Sequence, residues 1–106
     1  MPEFDNSRIT DERVLEEVEN DVVEPDMYRV LLHNDHYTTM EFVVEVLQAV
    51  FHKHLLEATK IMLDVHRKGI GIVGMYTLDI ARTKTRQVEQ LAKEREYPLR
   101  CTFEKA

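Results

Sequence analysis

All five histidines of this chain lie between positions 33 and 66, and two of them share a short polar segment. His33 and His36 are three residues apart with Asp35 between them, and imidazole and carboxylate groups at such a spacing could bind a transition metal. No second thiolate and no H-E-x-x-H motif accompanies them. A small metal-binding domain built on this segment is therefore one open interpretation, and ordinary surface histidines in a turn are the other.

Nucleophilic catalysis has little support in the sequence. The single serine is Ser7, and the single cysteine, Cys101, falls in an apolar, strand-like run with no histidine close to it in sequence. A cysteine in such a run packs as a small apolar side chain. One cysteine cannot form a disulfide within the chain, which is typical of a reducing cytoplasm. We therefore predict a cytoplasmic protein that is not an enzyme.

Three glycines, Gly69, Gly71 and Gly74, match the string G-x-G-x-x-G. The dinucleotide-binding motif needs a strand before these glycines and a helix after them, so that a helix N-terminus meets the pyrophosphate. Here a predicted helix comes before them and a predicted strand follows. The glycines are thus expected to end a helix and to allow close packing, and we predict no cofactor.

The pattern of apolar residues predicts six elements in the order β-α-α-β-α-β. A capping box, Thr38 to Glu41, is expected to open the first helix, and Gly69 to end the second. The helical stripes place Leu55 and Ile80 among the inward residues. In chain order we predict a strand at 27–32, a helix whose apolar face runs from 40 to 51, a helix at 55–68, a strand at 70–76, a helix at 77–96 and a strand at 99–104. Three short antiparallel strands with helices packed on one face make an α+β fold.

Charge divides the chain at about residue 26. Residues 1–26 hold ten acidic residues and two arginines, whereas residues 27–106 carry a small net positive charge. We predict a flexible acidic N-terminal extension over 1–26, either a solvating tail or an arm that binds a partner, and one domain over 27–106. Such an extension argues against nucleic acid, whose phosphates would repel it. The first dozen residues do not resemble a secretory signal, and no apolar run is long enough to cross a membrane.

Two segments of the predicted domain could meet at one end of the sheet. Asn34 and Asp35 follow the first strand, and His66 lies near the end of the second helix. These three polar residues would form a rim around an apolar pocket lined by Leu32, Met40, Val43, Met62 and Val65. Mostly apolar walls with a few polar groups at the mouth are typical of small ligand or side-chain sites.

Four stretches of the sequence closely resemble the ClpS family of small bacterial adaptors for the Clp protease. The stretches are YRVLLHNDHYTTMEFV at 28–43, ATKIMLDVH at 58–66, TK at 83–84 and PLRCTFEK at 98–105. The resemblance spans residues 27–106. It implies recognition of N-degron substrates whose first residue is Leu, Phe, Tyr or Trp, and their delivery to a Clp AAA+ ATPase of the ClpA or ClpC type.

The resemblance also implies roles for particular residues. Asn34, Asp35 and His66 would hold the α-amino group of the substrate. Met40 would act as the gatekeeper that excludes β-branched first residues, and Asp79 and Lys84 would dock on the ATPase. The first side chain would enter a pocket formed by Leu32, Thr38, Met40, Val43, Met62, Val65 and Leu99.

Three positions depart from the pattern of the family. His36 stands where an acidic residue is usual, Thr39 where proline is usual at the helix start, and Arg82 where an acidic residue is common. A ClpS-like domain with an altered choice of substrate or ATPase is therefore an alternative, beside the metal-binding domain on His33 and His36.

Overall fold

A computed structural model describes residues 24–106, and the predicted acidic extension lies outside the described residues except for its last three positions. The described part confirms the element order β-α-α-β-α-β and the α+β class. The elements are β1 (Met27–His33), α1 (Met40–Ala49), α2 (Leu55–Lys68), β2 (Ile70–Thr77), α3 (Leu78–Glu94) and β3 (Arg100–Lys105).

The three strands form one antiparallel sheet with β1 in the centre, in the order β2-β1-β3. His33 at the end of β1 pairs with Ile70 of β2 and with Arg100 of β3. One residue further, the Asn34 N–H donates a hydrogen bond of 2.9 Å to the Gly69 carbonyl at the end of α2. The turn after β1 and the end of α2 are therefore held together by the sheet register.

The core lies between one face of the sheet and the helices. Val30 and Leu32 of the central strand are fully buried, and neighbouring strands add Val73 and Cys101 on the same side. Successive strand residues point to opposite faces, so these apolar side chains meet the helices on one face of the sheet. The helices complete the core with buried residues that include Phe42, Val43, Val46, Leu47, Ala58, Ile61, Val65, Ala81, Val88 and Ala92.

The predicted capping box is wrong by one residue. Thr39 is the N-cap of α1, and its hydroxyl oxygen accepts a hydrogen bond of 3.1 Å from the Phe42 N–H. The Thr38 hydroxyl instead donates a hydrogen bond of 2.7 Å to Asp35 Oδ2 in the preceding turn. The predicted end of α2 is confirmed: Gly69 adopts φ of 87°, a left-handed conformation that glycine tolerates without strain.

Two residues expected to point inward are exposed instead. Leu55 is 62% exposed on α2, and Ile80 is 46% exposed on α3. In each helix the buried stripe contains an alanine, Ala58 or Ala81, with almost no exposed surface. An alanine at the closest approach lets the helix lie near its neighbours, so the helix rotates to bury it and leaves the larger side chain outside.

Gly71 in β2 lies against α2 with no room for a side chain. A Cβ atom there would come within 2.5 Å of the Val65 Cγ2 atom and 3.1 Å of the Ile61 carbonyl oxygen. We expect Gly71→Ala to lower the free energy of unfolding by about 1–3 kcal/mol through overpacking, measured by urea denaturation. Gly74→Ala is the matched control, since its Cβ would meet the Tyr76 hydroxyl oxygen at 3.2 Å and that side chain can shift. Equal losses in both variants would contradict the close α2–β2 packing.

Candidate functional site

A cavity of about 450 Å³ opens where the β1–α1 turn faces the first turn of α1 and the last turns of α2. Its volume is within the range of small-ligand sites. It is lined by Asn34, Asp35, His36, Thr38, Thr39, Met40, Glu41, Val43, Met62, Val65 and His66.

Asp35 organises the turn at the mouth of this cavity. Its Oδ1 atom accepts hydrogen bonds from the N–H groups of Tyr37 at 2.8 Å and Thr38 at 2.6 Å. Its Oδ2 atom accepts a third, of 2.7 Å, from the Thr38 hydroxyl. A carboxylate offers about four acceptor positions. After these three bonds from described residues, Oδ2 retains an acceptor position for a ligand.

The charge of Asp35 is stabilised by the same contacts. Partial burial acts to raise the pKa of this carboxyl, but hydrogen bonds from Thr38 and Tyr37 and the nearby His36 imidazole outweigh it and leave the pKa below its ordinary value. Hydrogen bonds donated to a carboxylate favour its charged form. The mouth of the cavity therefore carries a fixed negative charge at neutral pH.

The interior of the cavity is apolar. Val43 of α1 and Met62 and Val65 of α2 are buried and form its wall. Met40, the first residue of α1, is 42% exposed and stands at the rim. Its unbranched side chain can adjust to what enters, because methionine has several rotatable bonds.

The structure brings the expected polar residues to one place. Asn34, Asp35 and His66 all line the cavity, as do five of the seven residues expected in the pocket: Thr38, Met40, Val43, Met62 and Val65. The other two, Leu32 and Leu99, are buried in the core and do not line it.

Sequence reasoning gave Glu41 only a capping role, yet it also lines the cavity. The signal was its position directly after Met40, because both residues belong to the first turn of the helix that borders the mouth. His36 lies on the same rim. The rim thus offers both a carboxylate and an imidazole beyond the Asn34–Asp35 pair.

The two histidines of the suspected metal motif have different surroundings. His36 lines the cavity, whereas the His33 Nε2 atom lies 2.7 Å from the Thr102 hydroxyl of β3. Burial, together with the positive charge of Arg100, holds the pKa of His33 below its ordinary value. Within residues 24–106, no three His, Cys, Asp or Glu side chains are grouped closely enough to hold a metal ion.

Cys101 has the environment of a core residue. Burial raises the pKa of its thiol to about 11, against a smaller lowering effect of the hydrogen bond to Thr85. The group therefore stays a protonated thiol at neutral pH, and a thiol is a poor nucleophile.

A second surface feature lies on α3, where the two residues expected to dock on an ATPase are found. Asp79 and Lys84 line a shallow hollow of about 240 Å³ together with Ile80, Thr83 and Gln87. The Lys84 ammonium donates a hydrogen bond of 2.7 Å to the Val50 carbonyl at the end of α1. It also lies 5.8 Å from the centre of the Phe51 ring, so part of its role is to hold α3 against α1.

No helix in the described range 24–106 combines the length and apolarity that crossing a bilayer requires.

Comparison with known proteins gives concordant matches. Residues 23–102 match the model of the family described as ATP-dependent Clp protease adaptor protein ClpS. The chain is 61% identical over 88 residues to the ATP-dependent Clp protease adapter protein ClpS of Syntrophus aciditrophicus, an alignment that covers 83% of this chain and 82% of the relative. The protein of the same name from Acetivibrio thermocellus is 58% identical over 91 residues, covering 86% of this chain and 92% of the relative.

A solved structure also resembles this fold. ClpS2 of Agrobacterium tumefaciens, bound to L-phenylalaninamide, superposes with a TM-score of 0.76 at 40% sequence identity. The match covers 78% of this chain and all of the other.

The Thr38 hydroxyl is expected to help keep Asp35 ionised. In Thr38→Val the shape of the side chain and the backbone N–H remain, but the hydrogen bond to Oδ2 is lost, so the pKa of Asp35 should rise. A carboxyl-detected NMR titration measures it. Thr39→Val is the control: it removes the α1 cap, should lower the free energy of unfolding by about 0.5–2 kcal/mol, and should leave the Asp35 titration in place. An unchanged Asp35 titration in Thr38→Val would contradict this role.

Proposed function

This chain belongs to the ClpS family of ATP-dependent Clp protease adaptor proteins, and from that premise we propose that it binds proteins whose first residue is Leu, Phe, Tyr or Trp and delivers them to a Clp AAA+ ATPase. The observation that carries this proposal is an apolar cavity with an ionised carboxylate at its mouth. The ligand of the related ClpS2 structure, L-phenylalaninamide, has the two groups that such a cavity would accept, an α-amino group and a large apolar side chain.

The rim suits an α-ammonium group. A free α-amino group has an ordinary pKa of about 8, so at neutral pH it is mostly a cation with three N–H donors. Asp35 offers Oδ2, Asn34 an amide oxygen and His66, when neutral, an imidazole nitrogen. Each hydrogen bond to a charged group contributes about 1.5–3 kcal/mol. An internal residue of a protein has no ammonium, so the rim would confine binding to chain ends.

The apolar wall would select the side chain of the first residue. Burying a leucine or phenylalanine side chain between Val43, Met62 and Val65 contributes about 1.5–3 kcal/mol. Met40 at the rim would lie beside the Cβ atom of the substrate and would exclude the β-branched Val and Ile by shape. This chemistry forms no covalent bond and needs no cofactor, as expected of a cytoplasmic adaptor.

Docking on the ATPase is assigned to the hollow on α3. Asp79 and Ile80 are exposed there and offer a charge beside an apolar contact. Lys84 adds a cation at the same hollow, with one of its donors already bound to the Val50 carbonyl. A Clp ATPase of the ClpA or ClpC type is the partner, and Arg82 on the same helix changes the local charge that this partner meets.

Three labelled peptides that differ only at the first residue test the proposal by fluorescence anisotropy. Free N-terminal Leu should bind with a Kd between submicromolar and tens of micromolar, since a contact this small also pays ordering costs. Free Val should bind at least about tenfold more weakly because of Met40, and N-acetylated Leu should not bind. Equal binding of the Leu and Val peptides would contradict the gatekeeper role of Met40, and binding of the acetylated peptide would contradict the ammonium site.

Two variants test the imidazole at the rim, because His36 lines the same cavity as His66. His66→Ala should bind the free Leu peptide about tenfold more weakly, since a hydrogen bond to a charged group contributes about 1.5–3 kcal/mol, and His36→Ala should bind it as the parent protein does. Unchanged binding by His66→Ala in the same anisotropy measurement would contradict the His66 acceptor.

A further inference from the structure

The face of the sheet opposite the helices carries an apolar strip along its edge strand β2. Strand alternation places Leu31 of the central strand on this face, beside Ile70, Ile72 and Met75 of the edge strand β2. Ile72 is 55% exposed and Met75 is 51% exposed. β2 has the sequence IGIVGMYT, which contains neither a charged residue nor a proline. Those are the devices that usually protect an exposed edge strand from other chains.

Positive charges border this apolar strip. Arg29 and Arg100 lie on the same face, on β1 and β3. One acidic residue, Glu104, shares the face with them and forms an ion pair of 3.6 Å with Arg29. Leu31, at the centre of this face, is only 7% exposed, so most of the exposed apolar surface belongs to β2. The open sheet face, meaning Leu31, Ile70, Ile72 and Met75 with the two arginines, therefore suits an acidic segment with aliphatic side chains.

Such a segment exists in the same chain. Residues 1–23 contain eight acidic residues and two arginines. The same segment carries the aliphatic residues Ile9, Val14, Leu15, Val18, Val22 and Val23. It joins the described part at residue 24, and three residues later Met27 pairs with Thr77 at the end of β2, on the open sheet face.

We propose that residues 1–23 dock on the open sheet face of their own chain. Their carboxylates would neutralise Arg29 and Arg100, and their aliphatic side chains would cover the strip on β2. The reach is ample: 23 residues can span at most about 75 Å, and a strand of eight residues is about 26 Å long. Because the segment is tethered, its effective concentration at this face is of the order of millimolar.

A second copy of the chain fits this face less well. Pairing two open sheet faces would bring the arginines of both copies together, and like charges in contact oppose association. The tethered acidic segment meets the same apolar strip with the opposite charge. The open sheet face and the cavity share no residue, so docking of residues 1–23 on this face does not depend on the proposed function.

Paramagnetic NMR on the full-length chain tests the proposal. A nitroxide attached to Ser7→Cys reports where the first residues lie, and the native Cys101 stays unlabelled because it is buried and its thiol pKa is about 11. We expect the amide signals of β2 and of Leu31 to lose most of their intensity, and those of α1 to lose less. Uniformly weak broadening over the whole domain would overturn the proposal.

Two matched variants assign the contact. Ile72→Asp should abolish the signal loss along β2, because it places a carboxylate against an acidic segment. Ile80→Asp makes the same change at a similarly exposed position on α3 and should preserve the loss. If the signal loss along β2 survives Ile72→Asp, residues 1–23 do not dock on the open sheet face. A mixed sample, in which unenriched chains carry the nitroxide and ¹⁵N-labelled chains carry none, separates contacts between chains from contacts within one chain. If the signal loss arises only from contacts between chains in that sample, the open sheet face does not bind residues 1–23 of its own chain.

Discussion

The three hydrogen bonds to the carboxylate of Asp35 are the constraint on which the site depends. They close the turn between β1 and α1 directly before Thr39, the residue that caps α1. They also keep the carboxylate ionised despite its partial burial. One side chain thus contributes both to the shape of the turn and to the charge at the mouth of the cavity.

The rest of the fold places this turn against α2. The pairing of β1 with β2 brings Asn34 beside Gly69, and the bond between them joins the turn to the end of the helix that carries His66. Gly71, two residues after Gly69, lets α2 lie directly on the sheet. An anion, an amide and an imidazole therefore converge at the rim of an apolar cavity although 32 residues separate Asn34 from His66.

Local patterns were enough to predict the elements but not every contact. Apolar periodicity and Gly69 placed the helices and strands close to their observed bounds. Either of two adjacent threonines can cap a helix, and the sequence alone does not show that Thr39 accepts from Phe42 while Thr38 donates to Asp35. Ile80 is exposed because the helix turns to bury Ala81, which depends on the surface it meets. The His33–Thr102 bond joins residues 69 positions apart, so no local pattern reports it.

A crystal structure with L-leucinamide would show where the amino group and the side chain of a bound first residue lie. We expect the amino nitrogen within about 3 Å of Asp35 Oδ2, with Asn34 and His66 as its other partners. The isobutyl group should lie between Val43, Met62 and Val65. An amino group turned to solvent, or a ligand bound outside the cavity, would contradict the account.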